Sequence, residues 1–334
     1  MKDFSLLMLA LIAFLSCDKK EVINEKLQAD YRIYHQLIND AEIALLDGSF
    51  SLADHNFKAA FAYVPRGFKH DYLLAGINAQ RLSNTEQAFI WLDSAALLGL
   101  TAETWELDTA IYLLQEQPEW QDFLKRYDRL HEIYQSKLHP EVVKTVAWLD
   151  SLELAYQESH GTDSVIDYKW FYQTNHDSLV SLINRYGWPG ITLAGDNTLS
   201  RRRQWYVIQH RETAAIKALE AESLQAIIDG ELYPFQYAFA YEIKYMTEGL
   251  SDAIGKMKAG DLPPEPRLLY GVMDVDGATD RYFKRIDGTR AEVEGRRRAL
   301  GLCPVADQAL WAARLTEPKV YKEVFDHATT EIKL

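Results

Sequence analysis

Two stretches decide how this chain folds: FSLADHNFKAAFAYVP at residues 50–65 and TEQAFIWLDSAALLGL at residues 85–100. Laid over each other, Ala53, Phe57 and Ala60 fall on Ala88, Leu92 and Ala95, an offset of 35 residues. Each stretch carries two small residues around one large apolar residue at helical spacing, and each follows another helical stretch. Leu37, Ala41, Ala44 and Leu45 precede the first, with Asp47-Gly48 as the break, and Tyr72, Gly76 and Ala79 precede the second. The expected fold class is all-α.

This pattern resembles the tetratricopeptide repeat over roughly residues 31–100. In that family a small residue marks the crossing of two helices, matched by Ala41 and Gly76, and a proline ends the pair, matched by Pro65 but replaced by Leu100 in the second unit. Small side chains are needed there because paired helices must approach closely for their large neighbours to interlock. Leu107 to Leu124, with Pro118-Glu119-Trp120, reads as a degenerate closing unit. The resemblance implies an array over 31–127 with a concave face suited to a peptide or protein.

At the other end of the scale of specificity, the chain begins Met1-Lys2, runs apolar from Phe4 to Leu15, and stops at Ser16-Cys17 before Asp18-Lys19-Lys20. A short basic start, a brief apolar stretch and a small residue before the break form a processed export signal too short to span a bilayer. The expectation is a bacterial lipoprotein with signal peptide 1–16, lipid on Cys17 and a tether over 17–30. Its place is then the cell envelope, held by the N-terminal lipid, with a lean towards the outer membrane. If Cys17 carries lipid, Cys303 has no disulfide partner and reads as a small buried hydrophobe.

Composition fits a folded chain, 48 % hydrophobic and 25 % charged, with material for two cores. A net charge of −13 opposes nucleic-acid binding, which depends on Lys and Arg neutralising phosphates. Arg201-Arg202-Arg203 and Arg296-Arg297-Arg298 do not reverse this, because consecutive side chains on a helix point in different directions. Connecting helices are expected over 128–167, including one from Pro140 to about Glu158. A C-terminal helical domain is expected over 168–320, and a tail over 321–334. Within that domain, Thr174–Asp177 reads as a capping box opening a helix with Leu179, Leu182, Ile183 and Tyr186 on one face. Further helices are expected over Ser200–Asp229 and Pro234–Glu248, with one short hairpin pairing Arg267–Val272 and Arg281–Phe283.

Gly187-Trp188-Pro189, Gln209-His210, Tyr270-Gly271 and Arg297-Arg298-x-x-Gly301-Leu302-x-Pro304 occur in that order. Together they resemble an uncharacterised bacterial helical domain family, sometimes found behind tetratricopeptide repeats in exported proteins, over about residues 145–315. The resemblance implies a helical fold and a set of positions, but no reaction. Several polar family positions are replaced here: Tyr156-Gln157 and His160 stand where an Asp-Gln pair and an Arg occur, Glu242-Ile243 where an Asp-Arg pair occurs, Leu268 where a Gln precedes the Tyr-Gly pair, and Val272 where a Thr follows it.

His210 is the candidate general acid or base, since histidine titrates near neutral pH. Gln209, Asn175 and Tyr270 would position a substrate, and Trp188 and Arg297 would add ligand contacts. Two of them also have a structural explanation: His210 on a helical flank with Val207 and Ala214, Trp188 beyond a helix end. No metal site is expected: His131, Glu132 and His139 lack ligand spacing, and Asp274–Gly277 lacks the closing glutamate of a calcium loop. No cofactor fingerprint, phosphate loop or nucleophile elbow occurs. The expected function is binding or scaffolding of an envelope protein or peptide; the rival is an envelope hydrolase built on His210.

Overall fold

The computed structural model describes residues 31–102, 111–159, 167–195, 219–238, 241–242, 245, 270 and 288–304. The signal and tether with Cys17, the 267–283 hairpin apart from Tyr270, Gln209, His210 and the 321–334 tail lie outside them. Among the described residues the protein is all-α, without strands, and no helix is long and apolar enough to cross a membrane.

Helix α1 covers 31–46 and α2 Phe50–Tyr63, separated by Gly48 at φ +71°, a left-handed turn that glycine adopts without penalty. Helices α3 (Lys69–Arg81) and α4 (Thr85–Ala96) pack closely against each other. The small residues sit where helices approach. A Cβ on Gly76 would stand 3.1 Å from the Ala88 carbonyl oxygen, and Ala41, Ala53, Ala60, Ala88 and Ala95 are fully buried beside Phe57 and Leu92. Asn84 caps α4 by accepting from the Gln87 N–H.

A short turn, α5 (Tyr112–Gln115), leads into α6 (Glu119–Lys137), which runs unbroken through the expected junction at 127–128. Helix α7 (Pro140–Ser159) starts at its proline as expected, and α8 (Tyr168–Tyr186) lies against it. Thr174 does not open α8. Asp167 does, its carboxylate accepting the Trp170 N–H at 2.8 Å, so the aromatic run 168–172 belongs to the first turn and Phe171 stacks on Tyr156 at 4.1 Å. Gly187, at φ +86°, closes α8. Helix α9 (Glu220–Ile228) ends before Gly230 at φ +71°, a helical segment occupies 234–238, and α10 (Arg290–Leu300) follows the capping box of Thr289 and Glu292.

The amino-terminal helices and the carboxyl-terminal segments have separate buried clusters that meet along a seam. Ile191 belongs to the cluster built by α1–α4, and Tyr233 packs on Phe68 with centroids 4.3 Å apart. Arg66, in the loop between α2 and α3, donates to the Gly230 carbonyl and to Glu231, each at 3.0 Å. The other oxygen of Glu231 accepts the Thr192 N–H at 2.8 Å, and Tyr31 donates to the Arg66 carbonyl at 2.6 Å.

That seam leaves no room for a methyl group at Gly190, where a Cβ would lie 2.3 Å from the Glu231 carbonyl oxygen. Gly190→Ala is expected to cost about 2–3 kcal/mol by overpacking. Gly48→Ala, with a left-handed φ but nothing within 4 Å, costs about 1 kcal/mol from backbone strain alone. Urea unfolding of the two variants measures the order.

Candidate functional site

Two polar groups are built into the helical frame. The first joins residues singled out in the sequence. Arg297, in α10, is 1 % exposed; its Nη1 donates to the Tyr270 carbonyl at 2.8 Å and its Nε to the Cys303 carbonyl at 2.7 Å. Nη2 lies 3.6 Å from the Cys303 sulfur. On the other side of the same residue, the Tyr270 N–H donates to the wholly buried carboxylate of Glu242 at 3.0 Å. A buried guanidinium and a buried carboxylate thus hold the two polar ends of Tyr270. Unpaired charge would be costly there, and these hydrogen bonds offset the cost.

Local sequence explains the arrangement. Gly301, at φ +87°, ends α10, with the Leu302 N–H returning to the Arg297 carbonyl, so the chain doubles back and Cys303 reaches the guanidinium. Asn39 of α1 donates to the Gly301 carbonyl at 3.0 Å. The Arg-Arg-x-x-Gly-Leu-x-Pro run therefore terminates a helix and ties it to α1. For Arg297 to meet a ligand it would have to leave two backbone carbonyls.

Trp188 and Tyr270 join Tyr237 and Tyr241 in one buried cluster. Tyr237 stacks on Tyr241 at 4.2 Å and meets Tyr270 edge-on at 6.4 Å. Burial, and secondarily the Glu220 carboxylate, pushes the Tyr270 phenol up to about 12. Tyr237 and Tyr241 are raised chiefly by burial too. All three stay protonated near neutral pH and serve as hydrogen-bonding phenols, not bases. The Trp188 indole N–H is buried with no acceptor among the described residues. Asn175 is spent locally, donating to the Phe171 carbonyl one turn back at 3.0 Å. The structure thus brings Trp188, Tyr270 and Arg297 together and commits the Asn175 amide to α8, while Gln209 and His210 lie outside the described residues.

The second group was not singled out from sequence. Tyr34 of α1 donates to Asp71 of α3 at 2.5 Å, and its oxygen accepts the Phe68 N–H at 3.0 Å, fixing the first turn of α3. Asp71 is 4 % exposed and Glu42 7 %. Burial, then the nearby Asp71 charge, holds the Glu42 carboxyl well above the ordinary range. His35, ringed by Tyr31, Tyr34, Phe68 and Tyr233, is pushed down to about 3 by burial, and its Nε2 has no partner among the described residues. The legible signal is Asp71 and Asn78, two polar residues seven apart within an otherwise buried run of α3.

Among the described residues no three His, Cys, Asp or Glu side chains gather to hold a metal ion. A depression of about 540 Å³ is lined by Asp177, Val180, Ser181, Asn184 and Arg185, all from one face of α8. Among the described residues it gathers no groups from separate elements, as acid-base chemistry on a bound substrate would need.

The two buried groups give opposite pH signatures. A neutral folded His35 penalises the native state below the unfolded pKa of 6.5, so its contribution is fully present above that pH and lost on the way to about 3. His35→Phe should flatten this limb, the gap to the parent growing by about 1.4 kcal/mol per pH unit; equal slopes would refute it. Glu42→Gln should stabilise the protein at pH 7, because the folded state disfavours the Glu42 charge, and the gain should vanish below the unfolded value of 4.5. Denaturant midpoints across pH read both.

Compared with protein-family models, with curated proteins and with solved structures, the chain matches none.

Proposed function

We propose that the protein is a lipid-anchored envelope lipoprotein whose tetratricopeptide-like helices dock a protein or peptide partner, with the C-terminal helices bracing the array. The observation that carries this reading is apolar surface left on the array. Leu52 and Tyr63, 54 % and 45 % exposed, lie eleven residues apart on the same face of α2, and Ile90 on α4 is 48 % exposed. Large side chains spaced three turns apart on one face suit the side chains of a partner better than they suit water.

The buried polar groups support binding over chemistry. Tyr34, Asp71, Glu242 and Arg297 are hydrogen-bonded within the protein, where they position helices. A lipid on Cys17 would place the docking face beside envelope partners, and the tether would hold it clear of the bilayer.

A photo-crosslinking amino acid at position 52 or 63 is expected to trap the same envelope protein at both positions, and not at the exposed position 128 on α6. Leu52→Glu combined with Tyr63→Glu should lower recovery of that partner by about tenfold, as loss of an apolar anchor does. Adducts of equal yield at all three positions, or none, would sink the docking reading.

A further inference from the structure

Helix α7 is apolar on two opposite sides. Its inner side, Val142, Val146 and Leu149, is buried, with Val142 and Val146 packed against Leu182 and Ala194. Its outer side exposes Ala147, Trp148, Ser151, Leu154 and Ala155, with Trp148 at 47 % and Leu154 at 57 %. A helix apolar on both sides is ordinarily covered on both.

The outer stripe has an internal symmetry. At 100° per residue its five members span about 120° centred on Ser151, with Trp148 and Ala155 on one flank and Ala147 and Leu154 on the other. Counted from Ser151, residues three away are large and residues four away are alanine on both sides. A two-fold axis through Ser151 pairs the helix with an antiparallel copy of itself. In that arrangement Trp148 lies over Ala155 of the other copy and Leu154 over its Ala147, large against small, while Ser151 faces its own equivalent. An isologous interface requires this self-complementarity.

Two further features favour a second copy over another occupant. The Ser151 hydroxyl donates to the Ala147 carbonyl at 3.0 Å, so it can enter a dry contact without losing its hydrogen bond. Lys144 is exposed seven residues before Ser151, so the Lys144 side chains of the two copies sit at opposite ends of the contact, about 20 Å apart, and do not repel each other across it.

We infer that the outer face of α7 is a self-association surface through which two copies of this chain pair antiparallel about Ser151. The contact over residues 144–158 is about 20 Å long and buries on the order of 1,000 Å² in total, at the low end for specific association. The dimer is therefore a reversible one. The surface is distinct from the Leu52–Tyr63 face, and the pairing does not depend on that face binding anything.

The test uses the full chain carrying Cys17→Ser, so that lipid does not drive association. Sedimentation velocity up to about 100 μM should show a concentration-dependent dimer, and Ala155→Arg should weaken it by at least about tenfold while circular dichroism stays unchanged. Ser151→Cys, with Cys303→Ala in the background, should form a disulfide-linked dimer on mild oxidation. Lys144→Cys in the same background should not, because that residue lies about 20 Å from its own equivalent. A monomer at every concentration, or equal crosslinking at 144 and 151, overturns the inference. So does a monomer that binds phosphatidylcholine–phosphatidylglycerol vesicles through Trp148, since the face would then serve a membrane.

Discussion

One carboxylate holds the architecture together. Glu231 uses one oxygen on Arg66, from the loop between α2 and α3, and the other on the Thr192 N–H beyond α8, while Arg66 also takes the Gly230 carbonyl. Three segments far apart in sequence meet at a side chain only 14 % exposed. Limited solvent screening makes the ion pair stronger than a surface pair, and geometry keeps it satisfied on both oxygens. Close approach is secured from the other side by glycine: at 190 and 230 an added Cβ would overlap Glu231 and the Tyr31 ring. The loop after α2 is thus bonded directly to the segments at 192 and 230–231.

Around that node the protein uses buried polarity to aim helices. Tyr34 ties α1 to the first turn of α3 through Asp71 and the Phe68 N–H, and Arg297 with Glu242 holds Tyr270 from both sides. Apolar packing alone tolerates sliding; a directional bond between named atoms does not. The cost appears in His35 and Glu42, two titratable groups kept from their charged forms by the same burial.

Much of the helical frame was legible because its signals are local. Small residues at 53, 60, 88 and 95 flank large ones, glycine at 48 and 187 marks helix ends, and Pro140 opens α7, all decided within a few residues. The start of α8 was misread because Thr174 and Asp177 imitate a cap, whereas Asp167 supplies it and stacking of Phe171 on Tyr156 holds the first turn. The Arg66–Glu231 node was invisible, since nothing near either residue announces a partner about 165 positions away. Arg297 was legible as a position but not as a use: its sequence motif also suits a ligand contact, and only the fold reveals that backbone carbonyls occupy it.

The pairing of the earliest helix with the latest has a kinetic side. Asn39 and Gly301 are hydrogen-bonded partners 262 residues apart, and His35 packs on Tyr233. Contacts this distant close only after the intervening chain has been synthesised, and loop closure must be met before they contribute. Until residues 230–301 arrive, Tyr31, His35 and Phe68 face water as a ready adhesive patch. A chain of this topology has its first helices incomplete while it is being made, and needs shielding in the interval before its later segments return to cover them.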